Sequence, residues 1–540
     1  MELHPATLWE SIADAIPERT ALVQGVVRRS WRDLDDRAAR LAGTLLAQGV
    51  EAGDRVGLML HNCPEFVEAY FAALKIRAVP FNVNYRYTAP EVGYLLADAD
   101  AAALVFHASL GDVVAGALAS SGRAPRLVAV DDADGPDGAG ADALDFQAAA
   151  TTGPVAPRVE RSPDDVTMIY TGGTTGMPKG VVMRVGPPLE YLLRTVPPLL
   201  GEAPVPVDEV PALARRLADG GRPMVSLPAP PLIHNTGVAV GTVPALSTGG
   251  SVVFLPSRHF DAVELWDTVV AEQVTDITIV GDAFARPMLA ALRDGPHRDL
   301  GGVRSIASSG AMFSAEVKTG LFGFMPQLLI LDIIGASEAT MGMSVATAAT
   351  PVDTARFLPA PGVIVVDDDG RRLEPGSGEV GLVAVPGGAE GYYNDDAKTA
   401  ATFRVIGGVR YTIPGDHATL EADGTLQFMG RGSSCINTAG EKVFPEEVEE
   451  ALKTHDDVRD AVAVGVPDEK FGEAITAVVE LAPDTDLDEA ALVAHVKGRL
   501  AHYKAPKRAV AIDTIGRAPN GKVDYKRLKQ YAKDQLGITG

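Results

Sequence analysis

Cysteine is almost absent: Cys63 and Cys435 are the only two in 540 residues. That excludes a disulfide framework and a cysteine-built zinc site, and it suits a reducing compartment. Long apolar runs are missing too, since no stretch approaches the roughly 18 residues needed to span a bilayer. Positive charge is scarce: 48 lysines and arginines against 71 aspartates and glutamates leave a net charge of −23. Such a surface disfavours nucleic acid and anionic membranes, whose binding rests on lysine and arginine. An anionic substrate must therefore meet a local positive patch. The N-terminus carries Glu2, Glu10, Asp14 and Glu18, so it reads as neither a secretory nor a transit peptide. These absences predict a cytoplasmic protein with no integral membrane segment and no nucleic-acid partner. A monomer and a homodimer are both compatible with them.

What is present is an ordinary globular composition, 46% hydrophobic and 22% charged, in a chain too long for a single core. Helical and strand patterns alternate early, as an α/β sheet requires. Ser30 followed by Asp33 reads as a cap for a helix whose Leu34, Ala38, Leu41 and Leu45 recur at helical spacing. Strands are predicted at Arg55–Leu60, Ala78–Asn82 and Ala102–Phe106, with helices at Glu65–Lys75 and Pro90–Leu96. Residues 131–165, acidic, small and proline-rich, read as a surface connector. Residues 184–223 hold eight prolines and read as an excursion with a short amphipathic helix near Val210–Leu217. A second α/β series runs from Met224 to Ile334. Beyond Pro361, short strands and turns suggest a small barrel or sandwich. From about residue 433 an α+β module of ordinary domain size follows.

The chain is organised around Tyr170–Gly180, YTGGTTGMPKG, between two apolar runs. Gly172, Gly173 and Gly176 permit positive φ and let backbone N–H groups converge, Thr171, Thr174 and Thr175 add hydroxyls, and Lys179 adds charge. Such a turn holds an anion, most plausibly nucleotide phosphates. It is not the Walker-type loop, because Pro178 stands where a glycine should precede the lysine and Gly180 where a hydroxyl is required. The loop instead resembles the signature of adenylate-forming enzymes: acyl-CoA synthetases, carrier-protein adenylation domains and firefly-type luciferases. Across the whole chain the likeness is greatest to bacterial fatty acyl-CoA synthetases.

That resemblance implies an N-terminal domain, residues 1–432, of two packed α/β subdomains plus a small β-barrel. It also implies a mobile α+β C-terminal domain, residues 433–540. ATP and an acid would give an acyl-adenylate and pyrophosphate, and coenzyme A would then displace AMP. The resemblance gives the phosphates to Thr171, Gly172, Gly173, Thr174, Thr175, Gly176 and Lys179. It gives magnesium to Glu338 with Thr171, the α-phosphate to Ser337, and the ribose to Asp416 and Arg431. Gly310, Ala311, Ile334 and Gly335 would border adenine; His234, Gly281, Ser309 and Gly310 would border the acyl group. Lys522, in Pro519–Val523, matches the adenylation lysine. Its charge would offset the repulsion between a carboxylate and the α-phosphate. Ser433 falls at the hinge, and Gly440 and Lys442 in the segment expected to meet coenzyme A. Three positions depart from the family pattern: Ile334 in place of an aromatic, Ser433 in place of aspartate or lysine, and Asn437 in place of lysine. Two other classes remain compatible with the residues. One is an adenylating ligase with a carrier-protein thiol, an amine or nitrite as second substrate; the other is a non-catalytic nucleotide-binding protein.

Overall fold

A computed structural model describes residues 1–132, 142–171, 178–350, 353–431, 436–438, 441–468, 472–500, 502–518, 521 and 523–538. The first helix after the opening hairpin forms as the sequence predicts. Ser30 accepts from the Asp33 amide at 3.1 Å, and the Asp33 carboxylate accepts from the Ser30 amide at 2.9 Å. This capping box starts Trp31–Ala47, which buries Leu34, Ala38, Leu41 and Leu45. Gly49, at φ +87°, turns the chain out of it.

Three sheets result. An eight-stranded sheet centres on parallel neighbours Val166–Thr171, Val79–Asn82, Arg55–Met59 and Ala101–His107. The strand Val166–Thr171, which leads into the glycine- and threonine-rich stretch, sits inside this sheet, paired on its other side with antiparallel Lys179–Arg184. A second sheet of fifteen strands begins as a parallel array through Val225–Pro228, Asp276–Ile279, Ser305–Ser309 and Leu329–Gly335. It continues through antiparallel Thr340–Ala346 into the strands that follow Pro361. The expected small barrel is thus hydrogen-bonded to the second subdomain rather than free-standing. One apolar cluster joins the subdomains, combining Leu58 and Phe71 from the first with Val252 and Phe254 from the second.

The C-terminal domain is a five-stranded sheet with Pro445–Lys453, Glu489–Lys497 and Tyr525–Leu536 packed on it. Two apolar clusters flank this sheet, one around Val443, Leu452 and Ile475, the other around Val464, Val478 and Leu528.

Two stretches carry more structure than composition suggests. The connector contains Phe146–Thr152, which buries Phe146, Ala149 and Ala150 against the first subdomain. The proline-rich excursion contains a 14-residue helix, Gly186–Leu199. Its Pro187 and Pro188 fall in the first turn, where a missing N–H costs nothing, and Pro197 and Pro198 fall in the last.

Candidate active site

Thr171 and Lys179 are paired residues of the antiparallel ladder, so the phosphate loop springs from a closed neck. Two asparagines fix what surrounds it. Asn82 accepts from the Tyr170 amide at 2.8 Å and donates to the Tyr170 carbonyl at 3.0 Å and the Ile233 carbonyl at 2.7 Å. Asn62 accepts from the Leu232 amide at 2.7 Å and donates to the Pro230 carbonyl at 3.0 Å. Together they tie the Pro230–His234 turn to the first subdomain. Lys179 pairs with Asp395 at 3.0 Å, and that hydrogen bond raises its pKa. The Asp395 carboxylate also caps the helix Asp396–Thr402 through the Lys398 amide, the main reason its pKa is depressed.

After His234 the chain enters a π-type helix, Thr236–Thr242. A β-carbon at Gly237 would lie 2.6 Å from the Pro231 carbonyl oxygen, so only glycine permits this tight return. Such wide turns are frequent at functional sites. In the second subdomain the strand ends deliver Ser309, Gly310, Ala311, Ile334 and Gly335. Gly310 adopts φ +94°, exposing the backbone there. Glu338 is only 6% exposed and accepts from the Tyr392 hydroxyl, whose ring lies 4.2 Å under the Lys398 ammonium. Asp416 opens its strand directly opposite Arg431 in the ladder.

One cleft of about 2820 Å³ collects most of these groups, although Lys179 and Asp395 are not among its lining residues. Thr171, His234, Ser309, Gly310, Ala311 and Asp416 line it, as do Ile334, Gly335, Ser337 and Glu338. It exceeds the ~300–1,000 Å³ of an ordinary ligand pocket, as a site for two substrates must. Ile334 is 9% exposed and belongs to an apolar cluster with Met341 and Phe357, so it presents little surface. Gly281 does not line the cleft, although its neighbours Val280 and Asp282 do. A β-carbon there would stand 2.1 Å from the Met312 carbonyl oxygen, so this glycine serves close backbone packing. The expectations for Gly172, Gly173, Thr174, Thr175, Gly176, Ser433, Gly440 and Lys522 fall outside the described residues. So do the side chains of Arg431, Asn437 and Lys442.

The C-terminal domain closes one side of the cleft. Gly521 lies against the large domain, where a β-carbon would be 3.0 Å from Val280 Cγ1, 3.4 Å from Ala283 Cβ and 3.5 Å from Ala311 Cβ. Sequence reasoning missed Asn62, Asn82, Tyr392 and Asp395. Their partners lie far away in the chain, and no local pattern announces them. Among the described residues, no group of three or more His, Cys, Asp or Glu side chains could hold a metal alone. A divalent cation here therefore needs oxygens from a bound ligand, which fits magnesium, a cation that keeps water and takes few protein ligands.

The chain belongs to the AMP-binding enzyme family: residues 9–393 match it, and residues 447–522 match its C-terminal domain. It is 41% identical over 547 residues to the 3-oxocholest-4-en-26-oate–CoA ligase of Rhodococcus rhodochrous, covering 100% of this chain and 97% of that one. It is 39% identical to the medium/long-chain-fatty-acid–CoA/3-oxocholest-4-en-26-oate–CoA ligase of Mycobacterium tuberculosis, covering 98% and 96%. ATP-bound MatB from Rhodopseudomonas palustris shares the fold, with a TM-score of 0.79, 26% identity and coverage of 98% and 99%. The protein is an ATP-dependent, AMP-forming acyl-CoA ligase that uses ATP, magnesium and coenzyme A. Coenzyme A is the acceptor, and the carrier-protein, amine and nitrite readings fall away with the non-catalytic one. No helix among the described residues is long and apolar enough to cross a membrane.

Proposed function

We propose that the acid is large and mainly apolar, of the steroid-carboxylate or long-chain type named for the relatives. The observation that carries this is the largely apolar lining of the cleft alongside the strand Val166–Thr171. Thr171, Ile169 and Thr167 occupy alternate positions on its accessible face, and all three line the cleft. Four residues of strand carry that lining about 13 Å from Thr171. Leu192 and Val196 of the Gly186–Leu199 helix, and Val238 and Val243 beyond His234, belong to it. A short acid would leave this apolar surface wet, whereas burying it contributes about 25 cal/mol per Å².

The residue roles are those the family resemblance implies. Lys179 exchanges Asp395 for the β- and γ-phosphates, joined by Thr171 and the loop 172–176. Glu338 holds magnesium, which shields phosphate charge when bound. Ser337 meets the α-phosphate, Asp416 and Arg431 the ribose, and Gly310 and Ala311 the adenine. His234, Ser309 and Gly310 border the carboxylate. Lys522 follows Gly521, which is docked on the large domain, and bridges the reacting oxygens. Turning residues 433–540 about Ser433 then admits coenzyme A past Gly440 and Lys442. ATP and coenzyme A use, together with the scarcity of cysteine, support a cytoplasmic location.

An acid panel scored by pyrophosphate release, with and without coenzyme A, tests the substrate class. Steroid and C16 acids should exceed acetate and butyrate in kcat/KM by at least about 10²-fold, since each buried methylene contributes about 0.8 kcal/mol. Equal or greater activity on the short acids would reject it.

A further inference from the structure

Both stems of the phosphate loop meet one helix end that does not itself line the cleft. Asp98 is the last residue of the helix Ala89–Asp98, where unpaired carbonyls gather negative partial charge and a carboxylate is locally unfavourable. Its contacts offset that. The Tyr170 hydroxyl donates to Asp98 Oδ2 at 2.6 Å. One turn back on the same face, the Tyr94 hydroxyl stands 3.5 Å from Asp98 Oδ1 and donates to the nearer Pro178 carbonyl at 3.3 Å. Tyr170 immediately precedes Thr171, and Pro178 immediately precedes Lys179.

The packing leaves Tyr170 a defined path to Asp98. Its ring meets Phe81 edge-on, with centroids 5.7 Å apart, and crosses its ladder partner Gly180. A β-carbon at Gly180 would stand 3.1 Å from Tyr170 Cζ and 2.8 Å from Met168 Sδ, so the glycine makes room for the ring. The helix end is itself fastened: Arg55 donates to the Ala99 carbonyl at 2.7 Å, and Asn394 to the Asp98 carbonyl at 3.1 Å. Asn394 adjoins Asp395, the partner of Lys179. A residue that breaks a local rule while its surroundings are satisfied points to a functional constraint.

We propose that Asp98 is a positioning residue for the triphosphate. It holds Tyr170 while Tyr94 holds Pro178, and the helix end thereby sets the spacing at which Thr171 and Lys179 receive the β- and γ-phosphates. A hydrogen bond to a carboxylate is stronger than a neutral one. Stems fixed in advance lose less freedom when ATP binds.

This inference rests on the assignment of the phosphates to Thr171 and Lys179, and the experiment separates the two. AMP carries no β- or γ-phosphate, so it reports the rest of the nucleotide site. Dissociation constants of ATP and AMP, each with magnesium, are measured by calorimetry for the wild type and for Asp98→Ala, Asp98→Asn, Tyr170→Phe and Lys179→Ala. Asp98→Ala should weaken ATP about tenfold, the scale of one charge-assisted hydrogen bond, and AMP by less than about twofold. Tyr170→Phe should show the same selectivity, and combining it with Asp98→Ala should add little, because both remove one interaction. Asp98→Asn keeps an oxygen for Tyr170 and should recover most of the ATP affinity. A merely structural loss weakens both nucleotides alike. Equal weakening, or unchanged ATP affinity, in Asp98→Ala overturns the positioning role while a selective loss in Lys179→Ala keeps the phosphate assignment standing. A Lys179→Ala protein with no selective loss of ATP removes that assignment itself. Should Asp98→Ala fold poorly, Tyr170→Phe, which deletes one hydroxyl and leaves the ring in place, decides alone.

Discussion

Glu338 owes its aim to a tyrosine. The Tyr392 hydroxyl occupies one carboxylate oxygen, and Lys398 sits over the same ring, so the carboxylate has one preferred orientation inside a nearly closed site. Removing such a supporting group typically weakens metal binding tenfold or more. Tyr392→Phe should raise the magnesium concentration for half-maximal pyrophosphate release by about tenfold and leave the KM for the acid unchanged. An unaltered magnesium dependence would show that Glu338 holds its position without Tyr392. At this scale the sequence discloses residues whose chemistry is advertised by their immediate neighbours: Thr171 and Lys179 in a glycine run, Glu338 after a strand end, Asp416 after a Pro-Gly turn. It does not disclose partners that act across the fold. Tyr392 lies 54 residues from Glu338, and Asn82 lies 88 from Tyr170, each in a segment that reads as ordinary strand.

Elements show the same division. The helix Trp31–Ala47 is written in its cap and its apolar spacing, whereas Gly186–Leu199 is hidden by four prolines that fall only in its first and last turns. The segment leading to Gly521 is governed from below by charges that no periodicity reveals. Arg517 donates to Asp460 at 2.6 and 2.9 Å and to the Gly521 carbonyl at 3.3 Å. Beyond it, the Tyr525 hydroxyl donates to Glu449 at 3.0 Å, and Glu449 also accepts from the Ala463 amide at 3.1 Å. Both flanks of position 522 are therefore fastened to the strand Val458–Asp468 and the helix Pro445–Lys453. Lys522→Ala should lower adenylate formation by at least ~10²-fold, the scale of losing one group that stabilises transition-state charge. Arg517→Met, which leaves that charge in place but frees its support, should lower it by about tenfold, the order expected when reacting groups are misplaced. Single-turnover assays separate the half-reactions: thiolysis of a supplied acyl-adenylate should persist in both variants. Equal loss in the two half-reactions would mean that Arg517 supports the domain as a whole rather than this turn.

For the whole molecule, a separate C-terminal domain is legible because an α+β pattern of its own closes the sequence, but docking of one domain on the other is not. Pose depends on surfaces from remote segments, and Gly521 against Val280 and Ala311 has no local signature. Glu450, on the helix Pro445–Lys453, is part of that docked surface. It faces Thr354, Asp282 and Lys318 of the large domain, with Lys453 on its own helix. Burial raises its pKa above the ordinary carboxylate value of 4.5, and Asp282 adds to this, against the opposing pull of Thr354, Lys453 and Lys318. A swing about residue 433 would return this helix to water and the carboxyl to its ordinary range. The docked arrangement therefore binds the proton more tightly. It is fully favoured below the ordinary value and loses stability as pH rises through the raised one. Glu450→Gln keeps the side chain neutral at every pH and removes that loss. At subsaturating ATP, where the docked fraction limits the rate, the ratio of variant to wild-type adenylation should climb as pH rises above the ordinary carboxylate value of 4.5 and level off once the raised one is passed. Substrate carboxyl groups and histidines titrate alike in both proteins and cancel in the ratio. A ratio that stays flat, or falls with pH, would mean that Glu450 keeps the same environment when the domains part.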